Sequence, residues 1–226
     1  MAQNVGNAKN ILVGASPLFI SNIDVTDSDY VQNAEPGTGD FAYESGVSFT
    51  NTLNDIDQTA GTFGYRNVGY TNNGLQVTYN PSYGSVTVDQ LLDTAKLFKE
   101  SMEVMIATEM AEGTLENVLA VFGQRSTTLN STGTGIGAQD KLGLAGGALG
   151  EAPTERQLIA VGQAPTSEAT KTERVYYARR VLSVQQSQFS LARNAASTFP
   201  VTFRLLPDGA YSGQEYGFIV DRVLAL

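Results

Sequence analysis

Leu75-Gln76-Val77-Thr78-Tyr79-Asn80, then Pro81-Ser82-Tyr83-Gly84, then Ser85-Val86-Thr87-Val88-Asp89, is the stretch that decides the fold. Successive side chains of a strand point to opposite faces. Leu75, Val77 and Tyr79 therefore alternate with Gln76, Thr78 and Asn80, and Val86 and Val88 alternate with Ser85, Thr87 and Asp89. With Pro81 to Gly84 supplying turn chemistry, this predicts a hairpin with one apolar and one polar face. Asn73-Gly74 just before it is a further turn signal.

Working outward, Ala95 to Lys99 and Met102 to Met110 read as a second pair of strands. In the latter, Met102, Val104, Ile106, Thr108 and Met110 share one face, and Glu103, Met105, Ala107 and Glu109 the other. The period then changes. Leu115, Val118, Leu119 and Phe122 fall at i, i+3, i+4 and i+7, with Thr114 placed to cap the start and Gly123 to end the turn. A short amphipathic helix over 115–122 is predicted, its stripe needing a sheet face to cover.

Residues 125–170 differ in kind. Seven glycines between Gly133 and Gly150 sit among Thr, Ser and Ala, with one short apolar run, Leu158 to Val161. This reads as a Gly-rich loop or arm within a single domain spanning 1–226. Gly133-Thr-Gly135-Ile-Gly137 lacks the spacing of a phosphate loop. The last third returns to strands: Val175 to Val184, Gln186 to Ala192, Phe199 to Leu206 and Tyr216 to Leu226, with turn signals at Asn194 to Ser197 and Pro207-Asp208-Gly209. Towards the N-terminus, Ile11 to Ile20 suggests one or two short strands and Asn33 to Gly46 a long loop. Asp24, Asp27 and Asp29 lack the glycine and closing glutamate of a calcium loop. The fold expected is mainly β, an antiparallel sandwich or barrel with one short amphipathic helix.

Composition narrows the chemistry. The 226 residues include no histidine, cysteine or tryptophan, which removes the usual general bases, thiolates and soft-metal ligands. No catalytic, cofactor-binding or metal site is expected, and no disulfide. No apolar run approaches the ~20 residues of a membrane span. The N-terminus lacks the pattern of a secretory signal and suggests synthesis for the cytoplasm. Charge is uneven: residues 1–60 carry one base and eight acids (net −7), 61–170 six and eleven (−5), and 171–226 seven and four (+3), giving the overall −9. An acidic front and a basic back suit head-to-tail stacking of identical chains, and equally suit ordinary charge scatter on an acidic protein.

Four runs carry a resemblance: Gly69-Tyr70-Thr71-Asn72-Asn73-Gly74-Leu75-Gln76-Val77-Thr78-Tyr79, Val86-Thr87-Val88-Asp89-Gln90, Thr114-Leu115-Glu116-Asn117-Val118-Leu119-Ala120, and Phe199-Pro200-Val201-Thr202-Phe203-Arg204-Leu205-Leu206-Pro207-Asp208. In this order they resemble the tail tube (major tail) proteins of tailed bacteriophages, a family related in fold to the tubes of type VI secretion systems. The match spans about half the chain and does not extend to 125–170.

The resemblance implies a virion subunit, assembled in the host bacterial cytoplasm. Homo-hexameric rings would stack head to tail, each subunit giving two hairpins to a β-barrel around a channel, with the helix packed outside. Double-stranded DNA would pass through without specific binding. Other tail proteins would be partners: a tape measure, a terminator, a distal tail or baseplate protein and, in contractile tails, a sheath. No membrane partner is implied. On this reading Gln76, Thr78, Asp89, Glu103 and Glu109 face the channel, where acids repel phosphate. Val77, Tyr79, Val104 and Ile106 would pack beneath Leu115, Leu119 and Phe122. From pattern alone the polar residues could equally face solvent on a monomeric sandwich. Alternatives are a secretion-tube or phage-tail-like bacteriocin subunit, a monomeric ligand-binding β-sandwich with tyrosines as its ligand face, and a carboxylate-only glycosidase built on a pair such as Asp89 and Glu103.

Overall fold

The computed structural model describes residues 16–21, 65–91, 93–151, 153–165, 173–189, 193 and 196–222. The Asp24, Asp27 and Asp29 cluster and the loop expected over 33–46 lie outside them. The chain is mainly β, with antiparallel pairing throughout the ladders, and one short α-helix. In chain order the strands are β1 (Leu18–Ser21), β2 (Tyr65–Asn67), β3 (Thr71–Thr87) and β4 (Thr94–Met110). After helix α1 (Leu115–Val121) come β5 (Leu129–Thr132), β6 (Gln139–Leu142), β7 (Arg156–Gln163), β8 (Glu173–Ser183), β9 (Phe199–Leu205) and β10 (Gly217–Arg222). The main sheet runs β2-β1-β7-β8-β9-β4-β3, with β10 also on β8; β5 and β6 form a separate hairpin.

Strand β8 is the branch point. Its first half, from Glu173 to Ala178, pairs with β10, and its last residues, Val181 to Ser183, pair with β9. The main core gathers residues from strands on both sides of β8. Leu18 and Ile20 of β1, Leu158 and Ala160 of β7, and Ala178 and Val181 of β8 meet Val104, Ile106 and Met110 of β4 and Phe199, Val201, Phe203 and Leu205 of β9. The even positions of β4 are the buried ones from Val104 onward, as their alternation requires. A second apolar set, Phe19, Ile159, Val161, Val175 and Tyr177, occupies the opposite face of β1, β7 and β8 and packs against Phe218. Strand β7 is thus buried on both faces, which is why Leu158 to Val161 is a continuous apolar run.

Several expectations are corrected. Pro81 to Gly84 is no turn: β3 runs on to Thr87, and the reversal lies at Val88–Leu91, closed by the Leu91 amide on the Val88 carbonyl at 3.1 Å. Proline is tolerated there because β3 is the last strand of the sheet and an edge strand has an N–H side that needs no partner. The two strands expected over 95–110 are one, interrupted by a register shift: Ser82 pairs with Ser101, but Tyr83 pairs with Lys99. Asn73-Gly74 is likewise a bulge and not a turn, both residues taking φ of +60° and +67° where β3 passes Thr108. Residues 125–170 hold a 3₁₀ turn, the β5–β6 hairpin and the central strand β7, so only parts of the segment form an arm. No strand forms over the described part of 186–192.

Candidate assembly surface

The β3–β4 hairpin has two 17-residue strands, and only its root is built into the core. Nearly every residue from Ser82 to Ser101 is exposed. The arm is therefore held from one end, and the root is correspondingly elaborate. Asn117, fully buried on α1, donates from Nδ2 to the Val68 carbonyl just before β3 and to the Glu112 carbonyl just after β4, both at 2.9 Å. Its Oδ1 accepts from Arg66 at 2.6 Å. One side chain thereby ties the helix to both legs. The Glu112 carboxylate accepts from the Tyr70 amide at 2.9 Å, lying so close over Gly69 that a Cβ there would clash, and Gly69 has a φ of +81°. Burial lowers the Arg66 guanidinium pKa, against the opposing pull of Glu116 and Glu112.

Helix α1 forms where the period predicted it, ending one residue earlier. Thr114 accepts from the Asn117 amide at 3.3 Å, Gly123 takes a φ of +62°, and Ser183 donates to the Val121 carbonyl at 2.8 Å. Its buried face is Asn117, Leu119, Ala120 and Val121. Leu115 is half-buried, and Phe122 is 37% exposed with its ring 6.3 Å from that of Phe189.

Register places the expected site residues. On one face of the arm Gln76, Thr78, Asn80 and Ser82 stand opposite Ala107, Met105, Glu103 and Ser101, and the face continues onto Pro200, Thr202 and Arg204 of β9. Gln76, Thr78, Glu103 and Glu109 share it; Asp89 sits apart, in the turn at the tip. Glu109 accepts from Asn72 at 3.2 Å, and Glu103 lies 3.7 Å from Arg204. That ion pair offsets part of the negative charge expected here, so amides and hydroxyls dominate the face. A polar hollow of about 170 Å³ opens on it among Gln76, Glu109, Gln185 and Thr202.

The other face departs from expectation. Val104 and Ile106 are buried, and both belong to the core cluster that includes Ala120 and Val121. Val77 and Tyr79, which pair with Ile106 and Val104, are 48% and 59% exposed. The helix packs on β9, β5 and β6, too far along the sheet to cover them. They line instead a groove of about 290 Å³, facing Tyr176, Tyr216, Phe218 and Ile219. Beyond the bulge the arm carries Val86, Val88, Leu91, Leu97 and Phe98 in the open.

Sequence reasoning missed Asn117, the bulge and the groove. The bulge has a signal, the switch of apolar parity from Leu97 to Met102; Asn117 has none, since it falls off the stripe of Leu115, Val118, Leu119 and Phe122. The groove has none, because β10 reaches it only through the branch at β8.

Three arginines of β8 tie the strands and loops around it. Arg174 holds Asp221 through two bonds of 2.5 and 2.7 Å across the β8–β10 ladder, an arrangement that raises the guanidinium pKa. Arg180 grips Glu155 at 2.6 and 2.9 Å, and Arg179 lies 3.4 Å from the centroid of Tyr211. Asp89 and Glu103 are separated by nine residues of strand, since Asn80 is the partner of Glu103. At ~3.3 Å per residue that is about 30 Å, against the roughly 5–10 Å a glycosidase pair requires. Among the described residues no group of three or more acids is placed to hold a metal ion, and no helix is long and apolar enough to cross a membrane. The chain matches no family model and none of the curated proteins with which it was compared.

Proposed function

We propose that this chain is the structural subunit of a bacteriophage tail tube: six copies close into a ring, rings stack head to tail, and the channel conducts double-stranded DNA into the host. The observation that carries the reading is the cantilevered β3–β4 hairpin. Among the described residues its outer strand β3 has a long edge with no partner strand, its root carries one polar and one apolar face, and its outer half from Ser82 to Ser101 stands outside the core of its own subunit. A monomer gains little from such an arm, and exposed edges of this length invite pairing with another chain. Side-by-side hairpins closed into a barrel remove the edges, with the face of Gln76, Thr78, Glu103 and Glu109 towards the channel. Hydroxyls and amides there, with few cations, let phosphate pass without gripping it.

The role is mechanical, without catalysis or cofactor, and the chain's partners are copies of itself and the other proteins of the tail. The tube of a secretion system or of a phage-tail-like bacteriocin would be built from the same subunit surfaces. Negative-stain electron microscopy of the purified protein at rising concentration tests the proposal. Rings or tubes with a central channel wide enough for duplex DNA are expected. A protein that stays monomeric at every concentration and binds a glycan in a screen overturns it in favour of the ligand-binding sandwich.

A further inference from the structure

We infer that the apolar groove beside the hairpin root receives the hairpin tip of a second copy of this chain. The inference rests on the assembly reading above and names the contact between neighbouring subunits. The groove is the open end of the main core. Val104, Ile106 and Leu205 belong to that core and reach the groove floor, while Val77, Tyr79 and Ile219 stand 48–62% exposed along its mouth. An apolar opening continuous with a core and flanked by the β3 and β10 edges marks a surface that something covers.

The same chain carries a matching donor. Val86, Val88, Leu91, Leu97 and Phe98 lie on the outer half of the arm, each 38–64% exposed, with Val86 and Phe98 on one face of the ladder, Leu97 on the other and Val88 and Leu91 at the turn. Donor and acceptor cannot meet within one molecule, because both are parts of the same hairpin. The ladder runs without reversal from Tyr79 at the groove to Thr87 beside the tip, eight residues or about 26 Å. The occupant is therefore another copy. Charge agrees: Asp89 and Asp93 flank Leu91 at the tip, and Lys99 stands at the groove mouth with Nζ 3.4 Å from Tyr79 Oη. The rival knob is Ile136, fully exposed at the end of the β5–β6 hairpin, but it is a single apolar side chain between two glycines of positive φ.

One tip and one groove on different surfaces make a head-to-tail contact, which closes into a ring or continues as a filament. It engages fewer than the roughly 20–30 residues a side of a free-standing interface. A single contact is thus weak, and closure of the assembly makes it persist.

The chain has no cysteine, which allows a direct test. Val88→Cys and Ile219→Cys, both at exposed positions, are prepared separately, checked for native circular dichroism, mixed under assembly conditions and oxidised. A covalent dimer joining the two variants is expected, forming at least on the order of tenfold faster than in either variant alone, since docked thiols meet at millimolar effective concentration. The double variant should give a ladder of multimers. No acceleration on mixing overturns the inference, as does capture of Ile136→Cys by Ile219→Cys in place of the tip. So does an Ile219→Cys thiol that resists a small alkylating reagent in the dilute monomer, which means the groove is filled within one chain. Microscopy of the same samples separates the two readings. Channelled tubes without the cross-link remove the tip contact and keep the tube; a cross-linked ladder in filaments without a channel keeps the contact and removes the tube.

Discussion

Asn117 holds the arm where it is because one amide supplies both donors and an acceptor to three groups from separate parts of the chain. Asn117→Ala leaves two carbonyls and a guanidinium without it, at about 1–3 kcal/mol per buried group left unsatisfied. We expect a loss of about 3 kcal/mol or more in urea unfolding, with Asn117→Asp failing to rescue because a carboxylate cannot donate to the two carbonyls. Gly217 is constrained for a different reason. Its φ is +133°, and a Cβ would run into the Tyr177 carbonyl across the ladder. Gly217→Ala should cost about 2–4 kcal/mol and expose β10 to proteolysis. Glu215 titrates low because its carboxylate accepts from the Gly213 amide and from its own. A folded-state pKa below the unfolded value contributes stability in full above about pH 4.5, and that contribution disappears as pH falls through the folded value. The small stability difference between the chain and Glu215→Gln at pH 7 should therefore shrink as the pH is lowered below about 4.5, as read from paired thermal melts. Such residues were scarcely legible: Asn117 falls off the helix's apolar stripe, and Gly217 reads only as one glycine among many, since the clash depends on Tyr177 lying across the ladder.

At the scale of elements, the hairpin is a strand pair whose outer half does nothing for its own fold. Replacing Tyr83–Glu100 by a two-residue Asn-Gly turn between Ser82 and Ser101, which pair in the ladder, should leave the melting temperature within a few degrees of the original, about what a change under 1 kcal/mol produces in a chain of this size. The same protein should fail to form rings or tubes by electron microscopy. A drop of tens of degrees would mean that the arm packs on its own core. Alternation along β3 and β4 was readable because each strand is buried on one face at most. The missed feature was continuity: Pro81 and Gly84 look like a turn, yet an edge strand tolerates both, and Phe98, the residue opposite Gly84, packs over the space its missing side chain leaves. The helix was legible from period and caps. Which part of the sheet it covers was not, because α1 follows β4 in sequence but packs on β9 and on the β5–β6 hairpin.

For the whole molecule, the charge gradient makes its own prediction. If the acidic residues 1–60 of one copy meet the basic residues 171–226 of the next, tubes grown at 1 M salt, where the Debye length is about 3 Å, should be shorter or slower to form than tubes grown at 0.1 M, where it is about 10 Å. Growth followed by light scattering checks this, and indifference to salt points to apolar stacking. By itself the sequence determined the strand character of 71–110, the helix with its Thr114 and Gly123 ends, and the antiparallel β class, because period, capping and turn chemistry act over a few neighbouring residues. Only the tertiary structure decided that β8 splits between β9 and β10, that β3 is left at an edge, and that Val77 and Tyr79 face a groove and not the helix. Those outcomes depend on pairings between residues from 20 to 99 positions apart, which no local pattern encodes.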